Sequence, residues 1–348
     1  MPSNAFVLEV GGKQYSGWKR ASVTAGIEQL AGSFDLTLTE RWPEQPVTRP
    51  INPGDECSVY IDEELALTGY VDDVIPSHDA RSHEVRITGR DRSGDLVDCS
   101  AIHKTGGWKN KAPMQIAADI CKPYGVTVAS AVGSLKAFAH FQLNDSETVF
   151  EAISRMARMR GVFVMSDNAG GIVFTRAGTE VVPEALVLGK NILAGELTRS
   201  MRDRYKTYLV QGQHAGTDNT TASDSVSRKY QVTDEQVGRH RTLVVLAEDQ
   251  ADGGDCADRA KHERNMRLGK SQRANITVQG ARHSGGALWM PNKRVVVRDR
   301  WLGIDAELLI ASATRSQDEG GTTTQLSLAR PEVFDVVPIP EPTGESLL

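Results

Sequence analysis

Phe34-Asp35-Leu36-Thr37-Leu38-Thr39 alternates apolar with polar side chains and runs, past a proline-bearing loop, into Pro53-Gly54-Asp55 and Cys57-Ser58-Val59-Tyr60-Ile61. A short acidic turn, the run Leu65 to Ile75, a polar turn and Glu84-Val85-Arg86-Ile87-Thr88-Gly89 complete the unit. Period-two alternation punctuated by Gly, Pro and Asp reads as an antiparallel meander with one face buried. The layout then returns. Ala274-Asn275-Ile276-Thr277-Val278-Gln279 leads through a loop to Pro291-Asn292-Lys293 and Arg294-Val295-Val296-Val297-Arg298. A turn at Leu302-Gly303, the run Ala306 to Thr314, a polar turn and Thr323 to Leu328 follow. The offset is 238 residues from Pro53 to Pro291 and 240 from Thr37 to Thr277. Two copies separated by a long insert predict duplicated domains, because a solenoid repeats about every 20–50 residues and at least three times.

At 348 residues the chain exceeds what one compact core organises. An apolar fraction of 39% and a charged fraction of 24% describe an ordinary globular protein. A net charge of −5 and a pI near 5.9 give no basic footprint for nucleic-acid recognition. Cys57, Cys99, Cys121 and Cys256 are scattered without a C-x-x-C pair, which predicts four free thiols in a reducing compartment. Met1-Pro2-Ser3-Asn4 lacks the charged and apolar regions of a signal peptide, so folding in a cytoplasm is expected. No window reaches the ~20 apolar residues that span a bilayer.

Four segments are expected. Residues 1–97 form the first β unit, with Phe6 to Val10 turning at Gly11-Gly12. Residues 98–187 are α+β. A helix opens at Pro113, buries Ile116, Ala117 and Ile120, and stops at Gly125. A second helix, capped by Asp145 or Ser146, buries Val149, Phe150, Ile153, Met156 and Ala157 up to Gly161. Val162 to Met165 and Ile172 to Thr175 then form a hairpin. Residues 188–330 carry the second β unit, interrupted over about 213–269 by a polar loop (213–228) and a charged helix expected over 255–268 with Gly269 as its stop. The tail, 331–348, holds Pro338, Pro340 and Pro342 and should be extended.

Signatures of catalysis are weak. Gly269-Lys270-Ser271 imitates the end of a phosphate loop, but position 264 is Arg264 and the order is helix into strand, not strand into helix. His262-Glu263 lacks the second histidine of a metalloprotease helix. Asp72-Asp73 is the one tempting carboxylate pair within the first β unit, and neighbours in a regular strand point to opposite faces. No Gly-x-Ser-x-Gly elbow is present. No metal or cofactor is expected.

Gly89-Arg90-Asp91-Arg92-Ser93-Gly94-Asp95-Leu96-Val97-Asp98-Cys99-Ser100-Ala101, with Pro53-Gly54-Asp55 and Leu67 to Val74, resembles the baseplate hub proteins of contractile-tailed phages, closest to those of phage Mu and its prophage relatives. Glu147 to Ile153, Arg160-Gly161, Gly171 to Gly178 and Tyr208 to Gly212 extend the likeness to about Arg330. The resemblance implies a β-rich α+β chain with two similar, small, tube-like antiparallel β-barrels. It also implies a homotrimeric ring of pseudo-sixfold symmetry that joins the tail tube to the membrane-piercing spike. The other partners it implies are further baseplate proteins and DNA that passes through without specific binding or any direct membrane insertion. The location it implies is the virion, after assembly in the bacterial cytoplasm. Candidate subunit or domain contacts are Phe34, Leu36, Leu38, Arg90, Asp91, Arg92, Ile276, Val278 and Trp289. Trp301, with Trp289, flanks the central strand of the second unit and suits core or subunit contact. The competing readings are a tail-associated peptidoglycan hydrolase, and a glycan- or peptide-binding module in the middle segment.

Overall fold

The computed structural model describes residues 6–39, 51–80, 82–211, 229–246 and 253–335. The expected polar loop (213–228) and all of the tail beyond 335 lie outside the described residues. The first meander consists of β1 (Phe6–Val10), β2 (Lys13–Tyr15), β3 (Arg20–Gly26), β4 (Ser33–Thr39), β5 (Glu56–Ile61), β6 (Glu64–His78) and β7 (His83–Asp91). The middle segment adds α1 (Gly94–Asp98), β8 (Gly107–Lys111), α2 (Pro113–Cys121), β9 (Thr127–Ser130), β10 (Phe138–Gln142), α3 (Val149–Met159), β11 (Phe163–Ser166) and β12 (Gly171–Thr175). Then come β13 (Leu186–Val187), β14 (Ile192–Arg199), β15 (Thr207–Gln211), β16 (Lys229–Thr233), β17 (Thr242–Leu246) and α4 (Gly253–Lys270). The chain closes on β18 (Gln272–Gln279), β19 (Arg294–Asp299), β20 (Ile304–Asp318) and β21 (Gly321–Ala329).

The repeat is real at the level of register. Hydrogen-bonded order is β4-β7-β6-β5 in the first unit, and β18-β21-β20 with β19 on β20 in the second. Asp35 faces Thr88 as Asn275 faces Ser327. Each unit has one 15-residue strand, β6 or β20. Each of these carries a bulge against the strand that follows it, between Val71 and Asp73 or between Ile310 and Ser312. A bulge inserts one unpaired residue and increases local twist, so equivalent bulges bend both meanders alike.

Alternation sends one face of each meander inward. Phe6, Leu8, Phe34, Leu36, Val59, Ile61, Leu67 and Ile87 make the first core. Ile276, Val278, Trp289, Val295, Val297, Ile310 and Leu326 make the second. Each such side chain contributes about 1.5–3 kcal/mol by leaving water. Neither unit, however, closes into the barrel that the resemblance implies. Among the described residues, both meanders belong to a single 13-stranded sheet. The physical reason is that β3 gives its outer edge to β20 of the other unit, antiparallel from Ala21 opposite Gln317 to Gly26 opposite Ser312. The sheet therefore runs on instead of curling back.

The middle segment has its own core, built from α2, α3 and the β11-β12-β9 sheet around Ile116, Ile120, Ile153, Met156 and Phe174. Helix α2 starts at Pro113 as expected, and Gly125 (φ 65°) ends the short 3-10 turn after it. The cap of α3 is Thr148, not Asp145 or Ser146: its hydroxyl accepts from Glu151 N–H while the Glu151 carboxylate accepts from Thr148 N–H. Glu147 instead holds Arg155 at 2.6 Å. Helix α4 packs Cys256 and Ala260 against Val210 of the β16-β15-β17 sheet. It runs through Gly269, which therefore is no stop. A β-carbon there would collide with Val333 of the Pro331–Phe334 turn, so the glycine makes room for that turn.

Candidate assembly interface

The contact between the two units is the site with most organisation. Its centre is the β3–β20 ladder, where the Thr24 and Thr314 hydroxyls lie 3.0 Å apart. On the buried side, Ala281 and Leu288 of the second unit complete the core of the first. At its rim Arg282 donates to Glu64 (2.5 Å) and to the Ile61 carbonyl (3.2 Å), tying the β18–β19 loop to the β5–β6 turn. Arg273 reaches Glu28 at 2.5 Å. Exposed pairs of this kind add little energy and mainly fix register. Arg315, in this ladder opposite Val23, is buried and donates to the Trp289 carbonyl; burial pushes its pKa down to about 10. Nothing in the sequence pattern signalled a buried arginine.

The uncovered face of the sheet is polar and small. Ser22, Thr24, Asn275, Thr277, Ser312, Thr314 and Ser327 alternate with the core residues across both units. Arg86 on this face is paired with Asp35, and Lys19 with Glu84 at 2.6 Å. Hydrogen bonding from Lys19 holds the Glu84 carboxyl below its ordinary range, and Asp35 likewise raises Arg86.

The Gly89-Arg90-Asp91-Arg92 run proves to be a corner, not a loose turn. Gly89 sits under the Phe34 ring and the Tyr70 carbonyl, which leave no room for a β-carbon. Arg90 donates to Asp72 and Asp98, each at 2.8 Å, and these bonds raise its pKa and lower that of Asp98. Asp91 is buried and accepts from Gly32 N–H (2.6 Å), Ser93 N–H (2.8 Å) and the Ser93 hydroxyl. Arg92 pairs with Glu56 at 2.5 Å. The run thus locks the end of the first meander to the start of α1.

Of the other candidate contacts, Phe34 and Leu36 lie in the first core with Leu38 packed against it, and Ile276, Val278 and Trp289 lie in the second. They face their own units, whereas Trp301 at the β19–β20 turn is 87% exposed. Asp72 and Asp73 share a face after all, because the bulge resets the alternation. Asp72 is held by Arg90 and Asp73 accepts from the Thr88 hydroxyl. The four cysteines are free; burial pushes the Cys57 and Cys121 thiols up to about 12.

Comparison with known proteins bears directly on this arrangement. Residues 5–91 match the family described as Mu phage baseplate assembly protein GpP-like, N-terminal. Residues 93–176 match the second domain of baseplate hub protein gp44-like proteins, and 253–337 the fourth domain of GpP. Over 97% of the chain and 90% of the relative, the sequence is 37% identical to baseplate hub protein gp44 of Escherichia phage Mu. The chain belongs to the Mu-type baseplate hub family. The hub's fold is also that of the 43 kDa tail protein of prophage MuSo2 from Shewanella oneidensis. That match has a TM-score of 0.86 and 35% identity, covering 96% of the hub and 100% of that chain. A tail protein from Neisseria meningitidis MC58 shares the fold with a TM-score of 0.80 and 24% identity, covering 97% of the hub and 99% of that chain. The hub is therefore a structural component of a phage tail baseplate and a part of the virion.

Proposed function

We propose that three copies of the hub close into a ring in which six similar β units surround one bore, connecting the tail tube to the spike. The carrying observation is the β3–β20 ladder: two equivalent units already stand edge to edge within one chain. Closed symmetry would cover the edges that remain, where an open chain of units would grow without limit. The bulky cores and the middle segment belong at the larger outer radius, which puts the small polar face of the sheet on the bore. Hydroxyls, amides and arginines already paired with carboxylates offer little to a phosphate backbone, so DNA would slide past without specific binding.

In this reading the hub performs no chemistry of its own and needs no cofactor. Its Asp72 and Asp73 carboxylates are occupied by Arg90 and Thr88, which favours a structural role over the hydrolase alternative. Other baseplate proteins would complete the partners, and assembly would take place in the host cytoplasm. The chain divides into a first β unit (1–97), an α+β domain (98–187), a second β unit (188–330) with its insert (213–269), and the tail (331–348). Sedimentation velocity at micromolar concentration tests the ring. A trimer is expected; a monomer at all concentrations, with or without tube and spike proteins, refutes it.

A further inference from the structure

We infer that the joint between neighbouring hubs is a β ladder in trans, between β14 of one chain and residues 73–78 of β6 in a second copy of the chain. This rests on the ring reading and goes further, to strand and register. β3 flanks β4 as β14 flanks β18. In the joint within one chain, β3 lies along the half of β20 that follows the bulge. The corresponding half of β6, Asp73 to His78, has β7 on one side and no strand on the other among the described residues. Likewise β14 is a terminal strand of the sheet, with β18 as its one strand neighbour among the described residues. Both free edges are largely exposed, and both carry an apolar side chain in water, Leu193 at 55% and Ile75 at 44%. One end of the pair is thus missing in β6 and the other in β14, as a head-to-tail ring of a duplicated unit requires.

The register transfers residue by residue. Thr314 and Ile75 hold equivalent places, facing Gln325 and Arg86. Thr24 and Thr198 do too, facing Ser33 and Arg273. Because Thr24 stands opposite Thr314, Thr198 of the next copy should stand opposite Ile75. Ala311 accepts from Ile27 N–H, so alternate residues after it, Ala313 and Arg315, turn their main-chain groups toward β3. Pro76 is the counterpart of Arg315 and has no N–H to give. The trans ladder therefore has one donor fewer than the ladder within the chain, and the proline blunts this edge against chance partners before assembly.

Directly opposed residues at a non-hydrogen-bonded site lie about 4.5 Å apart between α-carbons, within disulfide reach. In Ile75→Cys/Thr198→Cys, mild oxidation should give disulfide-linked species on a non-reducing gel that end at three chains. The out-of-register pair Ser77→Cys/Thr198→Cys and the wild type should give little. A sedimenting trimer of the Ile75→Cys/Thr198→Cys variant that fails to cross-link overturns this joint and leaves the ring standing; absence of any trimer removes both. Should the double variant misfold, hydrogen exchange on the wild type decides: the partner-facing amides in 73–78 and 195–199 should slow by roughly tenfold or more on assembly. Equal exchange in monomer and trimer overturns the inference.

Discussion

Asp91 offers the sharpest test of how the corner between the first meander and α1 works. Replacing it by Ala strands two buried main-chain donors, Gly32 N–H at 2.6 Å and Ser93 N–H at 2.8 Å. Each stranded buried donor costs about 1–3 kcal/mol, so D91A should lose about 2–6 kcal/mol in urea unfolding. Relief of the buried carboxylate acts in the other direction and sets a pH signature. Burial lifts the Asp91 carboxyl above its ordinary value of 3.8, outweighing the bonds from Ser93, Ser166 and Gly32 that lower it. A folded pKa raised above the unfolded one adds stability that is complete below the unfolded value and lost as pH rises through the folded value. The gap between wild type and D91A should therefore be widest below about pH 4 and narrow as pH rises toward 7. An unchanged unfolding midpoint in D91A, or a gap that widens with pH, would refute the reasoning.

Three further outcomes follow from named contacts. Gly269→Ala should lower the melting temperature despite a gain of about 1 kcal/mol in helix propensity, because its methyl overlaps Val333 and overpacking costs about 1–3 kcal/mol. Adding Val333→Ala should restore it. Asp234→Ala should cost about 3–5 kcal/mol in urea unfolding, since it leaves Arg204, paired at 2.8 Å and buried, without its carboxylate. Trp301→Ala should weaken trimer formation roughly tenfold or more by sedimentation while leaving monomer stability unchanged. The reason is that Trp301 sits at the counterpart of the β5–β6 turn, which Arg282 already holds in the joint within the chain.

The repeat is legible because strand alternation and turn residues are local signals. Thr37 and Thr277, or Pro53 and Pro291, keep their spacing whatever the rest of the chain does. The partners of strand edges are not local, so the β3–β20 ladder leaves no mark in the sequence, and each meander taken alone is expected to close on itself. Cap choice fails for a related reason. Asp145, Ser146 and Thr148 all suit a helix start, and Glu151 three residues on selects Thr148. Gly269 has the usual look of a stop, when its value is the space it leaves for Val333. Regular alternation separates Asp72 from Asp73, and a bulge breaks that alternation. Along the proposed assembly interface, the exposed Ile75 and Leu193 are invisible to a search for core periodicity, which selects residues that the cores themselves consume.

Electron cryomicroscopy of the purified hub addresses the central claim most directly. The account predicts a closed ring of three 37.9 kDa chains, six β units around one bore, and the small polar face of the sheet turned inward. Single chains, an open filament, or a ring with the polar face turned outward would contradict it.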